Sequence, residues 1–303
     1  MSEAGQTPRI LAVPNISEGR SQSVIDGVEA AFAAEAEVLD RHSDPIHNRT
    51  VFSLAPHGNR AADALVSGAR AALEGIDLSE HEGEHPRIGA LDVAPVIYLH
   101  GDARSDARAQ ALSAAEKIAD LGVPVFLYGE LSSVPERRER AFFRSGGMSA
   151  LAARMERGEL QPDLGPDRPH PTAGATLVTA RPPLAAFNME FEGMTLTQAR
   201  AVAAALRESG GGRPGVRAIA LSLTDHVTQI STNVHDPVAI PLSEVVARAR
   251  ELAASYAGEI RAAEVVGLVP RAALERFPAD VPLPGFDRAH GVIEERLAGL
   301  ADT

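Results

Sequence analysis

The chain contains no cysteine and no tryptophan, and aromatic residues make up only 4% of it. The first absence excludes disulfide bonds and any reaction through a thiolate. The scarcity of rings means that a core must be assembled mainly from Ala, Val, Leu and Ile, which suits alanine-rich helices laid on sheets. A run of about 18 apolar residues, the length needed to cross a bilayer, occurs nowhere. The opening MSEAGQTPRI lacks the basic and apolar regions of a secretory signal. Positive charge is also in deficit: 29 Lys and Arg against 41 Asp and Glu leave a net charge of -12. A field of that sign repels phosphate backbones and argues against a nucleic-acid partner. Together these absences predict a globular protein of the cytoplasm, with neither nucleic acid nor membrane as partner. Small anionic substrates stay allowed, because a few arginines override the global field at short range.

What is present suffices for a sizeable core: 303 residues, 45% of them hydrophobic, enough for one large domain or two ordinary ones. Residues 9–14 (RILAVP) read as a buried strand, and Val24, Val28, Ala31 and Phe32 follow helical spacing. Strands at 37–42 and 50–55, a helix at 59–73 and a strand at 93–99 complete β-α-β-β-α-β; a helix at 105–120 and a strand at 123–128 extend it. Two adjacent strands inside an alternating pattern indicate the split, ferredoxin-like arrangement. The second half repeats that order, with strands at 184–191, 216–223, 226–234 and near 263–269. Its helices are read at 195–208 and 242–257, and the tail from about 287 is also helical. The expected fold is therefore α/β (α+β), two ferredoxin-like βαββαβ subdomains spanning 1–182 and 183–303, with a ligand site between them. Between them in sequence, residues 158–174 (GELQPDLGPDRPHPTAG) carry four prolines that forbid a helix. Such a stretch is either a plain linker or a functional loop.

His81-Glu82-Gly83-Glu84-His85 matches the zinc-protease pattern H-E-x-x-H. That pattern holds a metal only on a helix, where residues four apart share a face. Gly83 weakens such a helix and Pro86 disfavours helical dihedrals at His85, so the two imidazoles are not expected to share a ligand. His42, His47, His170 and His235 offer further ligands without a reason to converge. A second reading takes 84–92 (EHPRIGALD) as an extended polar loop entering a strand. There Glu84 and Asp92 hold His85 in one tautomer, tuned to titrate near neutrality, and Arg87 grips a carboxylate. A third is a solvated loop whose charges pair at the surface.

Several further blocks point to a family. They are Val13-Pro14-Asn15-Ile16-Ser17-Glu18-Gly19-Arg20, Asn48-Arg49-Thr50-Val51, the run from Gly83 to Asp92, and Val125-Phe126-Leu127-Tyr128-Gly129-Glu130. They continue through Pro162-Asp163-Leu164-Gly165-Pro166, Gly174-Ala175-Thr176, Ala180-Arg181, Ala186-Phe187-Asn188, Gln229-Ile230-Ser231-Thr232-Asn233 and Val266-Gly267-Leu268-Val269-Pro270. In this order they resemble glutamate formimidoyltransferase, in its stand-alone bacterial form rather than the animal form fused to a cyclodeaminase. The resemblance implies transfer of the formimino group of N-formimino-L-glutamate to N5 of tetrahydrofolate in histidine degradation, with tetrahydrofolate as co-substrate and no metal. It also implies two α/β subdomains around a ligand tunnel, and a homodimer.

Carried over by position, the resemblance puts the catalytic histidine at His85. It puts the folate loop at Gly165, Pro166, Asp167, Arg168, Pro169, His170, Pro171, Thr172, Ala173 and Gly174. Thr172-Ala173 replace a Ser-Trp pair of the animal members, so a stacking ring is missing there. His42 stands where animal members carry an acid, and inherits no role. A donor with two carboxylates needs local cations, for which Arg49, Arg87 and Arg181 are the candidates. Asn15 and Asn188 are candidate substrate contacts or structural amides, and Glu18 suits a helix start. Asp92 is expected to orient His85. Formyl transfer at the same site, and a folate-binding protein without activity, stay open beside the main reading.

Overall fold

A computed structural model describes residues 8–83 and 85–301. The chain divides into two compact units, residues 1–181 and 182–303.

In the first unit, β1 (Ile10–Ala12) and β2 (Asn15–Ile16) lead to α1 (Gln22–Ala33), β3 (Ala36–Asp44), β4 (Arg49–Pro56), α2 (Ala61–Gly75) and β5 (Leu91–Tyr98). β1 falls within the strand expected at 9–14, and β2 is a second short piece that begins just after it. Pro14 has no N–H to give to the ladder, yet its carbonyl still accepts from Phe52 N at 3.0 Å. Both pieces lie between β4 and β5, and β3 pairs with the outer side of β4, all antiparallel. That order is the ferredoxin-like one. Helix α3 (Arg104–Ala119) and strand β6 (Val125–Leu127) follow, then the short helices α4 (Arg140–Arg144) and α5 (Gly147–Glu156). Strand β7 (Thr176–Arg181) inserts between β5 and β6, parallel to both. Sequence periodicity missed α4, α5 and β7. The helices are only five and ten residues long, and β7 follows the proline-rich stretch directly.

Alternation along β6 and β7 builds two cores. Val125 and Val178 join the alanine faces of α2 and α3, while Phe126 and Leu177 turn to the other face and pack with Phe143 and Leu151 of α4 and α5. Each fully buried Leu or Phe contributes about 1.5–3 kcal/mol, so this second cluster anchors α4 firmly over β5.

The second unit consists of β8 (Ala185–Glu192), α6 (Leu196–Leu206), β9 (Val216–Ser222), β10 (Thr228–Val234), α7 (Leu242–Ala253) and β11 (Glu259–Val266). The sheet order β11-β8-β10-β9 is again ferredoxin-like. Ala185, Phe187, Met189 and Phe191 bury on one face of β8 at period two. Thr195 closes a capping box with Gln198 at the start of α6. β11 begins earlier than its apolar run suggests, because a bulge between Ile260 and Ala262 lets the polar stretch 259–264 pair. Helices α8 (Arg288–Gly291) and α9 (Ile293–Ala301) form the tail.

Candidate functional site

Residues 81–83 and 85–90 contain no helix, so His81 and His85 do not share a helical face. Among the described residues, no group of three or more His, Asp or Glu is arranged to hold a metal. Glu84 lies outside the described residues. The loop is held by Asn48, which sits at φ 49°, a conformation that Asn tolerates. Its amide accepts from Gly19 N at 2.8 Å and donates to Glu82 O at 2.8 Å. The next residue, Arg49, therefore starts β4 against this loop.

Arg49 is the hub. Its Nε and Nη2 donate to Asn15 Oδ1 at 3.1 and 2.5 Å, and its Nη1 lies 2.8 Å from His85 Nδ1 and 3.1 Å from Asp92 Oδ2. Asn15 in turn donates to Val13 O at 2.9 Å, so here it positions Arg49. Asp92 is fully buried. Its Oδ1 accepts from Ile88 N at 2.8 Å, and its Oδ2 also accepts from Arg144 Nη2. Burial works to raise the Asp92 carboxyl, but Arg144, Arg49 and the Ile88 N–H outweigh it and hold the group below the usual carboxylate range. Burial pushes Arg49 down to about 9 against the pull of Asp92, which leaves it charged at neutral pH.

Two expectations are corrected here. Asp92 does not orient His85 directly; it reaches the imidazole through Arg49. Nor does His85 titrate near neutrality. Burial, reinforced by Arg49, Arg144, Arg140 and His47, holds it well below the usual histidine value. The ring is thus neutral, and its Nδ1 lies 2.8 Å from both Arg49 Nη1 and Pro86 O. One tautomer accepts from Arg49; the other donates to Pro86 and leaves Nε2 bare.

Arg87 is engaged differently from expectation. Its guanidinium donates to the carbonyls of His81 at 2.7 Å, Gly83 at 3.0 Å and His85 at 3.2 Å. It braces the loop that carries His85, because that loop has no ladder of its own to satisfy its carbonyls. Arg181, at the end of β7, is pushed down to about 10 by burial, while Tyr128 pulls the other way and hydrogen-bonds it.

Arg140 and Arg144 were not singled out in the sequence. They stand four apart on α4, hence on one face, and the signal was their spacing in the basic run 137–144. Arg144 is bound to Asp92, whereas Arg140 makes no hydrogen bond or ion pair among the described residues. Burial lowers Arg140, with Tyr128 opposing and Arg144 adding to the shift. Arg49, Arg140 and Arg144 thus act on His85, and among the described residues there Asp92 is the fully buried carboxylate; Arg181 acts beside Arg140 and Tyr128.

The loop 165–174 folds back on this region. His170 and Gly174 exchange backbone hydrogen bonds at 2.8 and 2.9 Å, and Ala90 N donates to Ala173 O at 2.9 Å. His170 Nδ1 accepts from Ala173 N at 3.1 Å. Gly174 has φ +68°, and a Cβ there would meet Ile88 O at 2.2 Å. This glycine is fixed by backbone packing, independently of any ligand. Pro166, Pro169 and Thr172 are half-buried, Asp167, Arg168 and Pro171 exposed. In the second unit Asn188 is buried on β8 and donates to Glu264 on β11 at 2.9 Å.

Comparison with known proteins fits this picture. Residues 9–181 match the formiminotransferase domain, N-terminal subdomain, and residues 186–278 match the formiminotransferase domain. A glutamate formimidoyltransferase of Streptococcus pyogenes serotype M1 is 34% identical over 295 residues, 96% of this chain and 99% of that relative. One of Thermoplasma acidophilum is 32% identical over 300 residues, 97% of this chain and 98% of that relative. A formimidoyltransferase-cyclodeaminase of Sus scrofa is 38% identical over 279 residues, which are 88% of this chain and 51% of the relative. The chain belongs to the formiminotransferase family.

Proposed function

We propose that the chain is a glutamate formimidoyltransferase, moving the formimino group of N-formimino-L-glutamate to N5 of tetrahydrofolate in histidine degradation. The observation that carries this reading is a neutral histidine set against a cluster of cations: Asp92 is held between Arg49 and Arg144, and Arg49 Nη1 lies 2.8 Å from His85 Nδ1. A donor with two carboxylates requires such a surplus of fixed positive charge. Arg49 and Arg144 already share Asp92, and Arg87 braces its loop. Arg140 is therefore assigned to one carboxylate of the donor, and Arg181, in the Ala180-Arg181 block of the family resemblance, to the other.

Tetrahydrofolate supplies the acceptor nitrogen. His85, in the tautomer that donates Nδ1–H to Pro86, presents a bare Nε2 as base; it takes the proton released at N5 and returns one to the departing glutamate nitrogen. The depressed proton affinity of His85 suits the first step, because the ring is ready as a base at neutral pH. In that tautomer Pro86 O holds the ring through Nδ1–H while Arg49 stays bonded to Asn15 and Asp92, and much of the rate comes from keeping the two substrates aligned. The loop 165–174 contributes folate contacts through its backbone, Thr172 and the exposed Arg168, which suits a carboxylate of the folate tail. A homodimer in the cytoplasm completes the reading; the family resemblance supports the first, and a cysteine-free chain suits a reducing compartment.

The test is to incubate the purified protein with tetrahydrofolate and either N-formimino-L-glutamate or N-formyl-L-glutamate and to measure the glutamate released. Release dependent on folate and favouring the formimino donor is expected. Release only from the formyl donor, or folate binding without release, would overturn the reading. Light scattering of the same sample reads the oligomeric state.

A further inference from the structure

The chemistry assigned to His85 leaves a difficulty. A ring crowded by Arg49, with Arg140 and Arg144 nearby, is a ready base but a poor place to keep a proton between the two halves of a transfer. A second histidine stands beside it. His47 is 7% exposed, and its ring meets that of His85 edge to face with centroids 6.0 Å apart. Its Nδ1 is bonded to the Asp44 carboxylate, and its buried Nε2 has no hydrogen-bond partner among the described residues.

The pair is built rather than accidental. Asp44 ends β3, and its Oδ1 accepts from Ile46 N at 2.8 Å and His47 N at 2.9 Å. These bonds close the β3–β4 turn and fix the carboxylate under the imidazole. Burial works to raise Asp44, but its bonds to His47 and Ile46 prevail and keep it ionised. A fixed carboxylate on Nδ1 forces the remaining lone pair onto Nε2 and compensates the charge when Nε2 gains a proton. A buried imidazole nitrogen left bare costs free energy in a resting structure, which a proton-carrying role accounts for.

We propose that the Asp44–His47 pair is the proton store of His85. This rests on the formimidoyl-transfer reading above. As the bond from N5 to the formimino carbon forms, the N5–H proton passes to His85 and, by rotation of either ring, on to His47 Nε2. The Nδ1 proton of His47 stays on its bond to Asp44. When the carbon–nitrogen bond to glutamate breaks, the proton returns through His85 to the departing nitrogen. No proton is gained or lost in the cycle. His47 acts through His85 and is thus a positioning and relay group. Among the described residues, the charged groups acting on the two rings are Asp44, Arg49, Arg140 and Arg144.

The test uses the full chain with His47→Gln, His47→Asn and Asp44→Asn. Turnover should fall about tenfold or more, with KM within about twofold, and the pH profile of kcat should lose the limb belonging to the store. Asp44→Asn should give an intermediate loss. Independently of activity, imidazole NMR should show the His85 ring signals displaced in both His47 variants. Wild-type kcat and pH profile in folded His47→Gln, or His85 signals unchanged by either variant, would overturn the proposal. A wild type that transfers no formimino group yet shows His85 signals that respond to both variants would overturn the functional reading and leave the pair standing.

Discussion

The two halves of the chain share a ferredoxin-like frame and differ in where they bury charge. In the first unit, the antiparallel frame places Asp92 fully out of solvent, with Arg49 at 11% and Arg144 at 9% side-chain exposure as its partners. In the second, ion pairs such as Arg213–Glu244 and Arg261–Glu190 lie at the rim of the same frame, exposed by 28% or more on each side. A frame of this kind does not by itself make a site. What distinguishes the halves is an insertion: α4, pinned by Phe143 in the second apolar cluster, lays Arg140 and Arg144 over β5, and β7 brings Arg181. The charges are buried because a hydrophobic cluster holds the helix that covers them.

The sharpest way to break this contrast is Asp92→Asn. It leaves Arg49 and Arg144 buried without their counter-charge, which costs about 3–5 kcal/mol. Hydrogen exchange should show the loss in residues 8–181, with the second unit near its original protection. Equal loss in both units would mean that the halves are not separate in stability. Next in size is His85→Ala, expected to lower turnover about 10²-fold or more while leaving a folded protein; near-normal turnover would remove His85 from the chemistry. The same residue sets a sign in stability. The folded imidazole holds its proton less well than the unfolded one, so the unfolded state binds more protons as the solution is acidified. Its stabilising contribution is complete above the ordinary histidine value and is lost as pH falls from there through the folded value. Asp92, also lowered, adds a second loss below the ordinary carboxylate value. Denaturant midpoints from pH 8 to 4 should fall, and His85→Ala should remove the first part of the fall.

Much of this was legible in the sequence, for physical reasons that also mark where legibility ends. Period-two burial on β8 and helical spacing on α1 are local signals and gave the right elements. His85, Arg49, Asn15 and Asp92 do converge in one network, although Asp92 acts through Arg49, and the network makes His85 a neutral ring rather than one poised near neutrality. Electrostatic sums of that kind depend on which arginines fold nearby, and Arg140 and Arg144 arrive from more than 50 positions away in the chain. Arg87 could not be read as a loop brace, because the carbonyls at 81, 83 and 85 become acceptors only in a loop without a ladder. The glycine at 174 carried a double meaning in sequence, and only its contact with Ile88 O separates the backbone reason from a ligand.

In the second unit the expected effects are smaller. Asn188→Ala should cost about 1–3 kcal/mol, since it strips the Glu264 carboxylate of a buried partner. A larger loss in turnover than in stability would assign Asn188 to substrate; a loss in stability alone would make it a strap between β8 and β11. Smallest of all is Arg213→Ala. Its guanidinium lies 3.1 Å from Glu244, and the two side chains are 56% and 45% exposed. Water screens such a pair, so the expected loss is under about 1 kcal/mol. It should shrink further in 1 M salt, where the screening length is about 3 Å. Asp92→Asn, with its partners out of solvent, should keep most of its effect in the same salt. Chemical denaturation with urea at low and high salt measures both variants under one protocol. A salt-insensitive loss at Arg213, or a salt-sensitive one at Asp92, would mean that burial does not separate the two halves, because screening acts only on charges that solvent can reach.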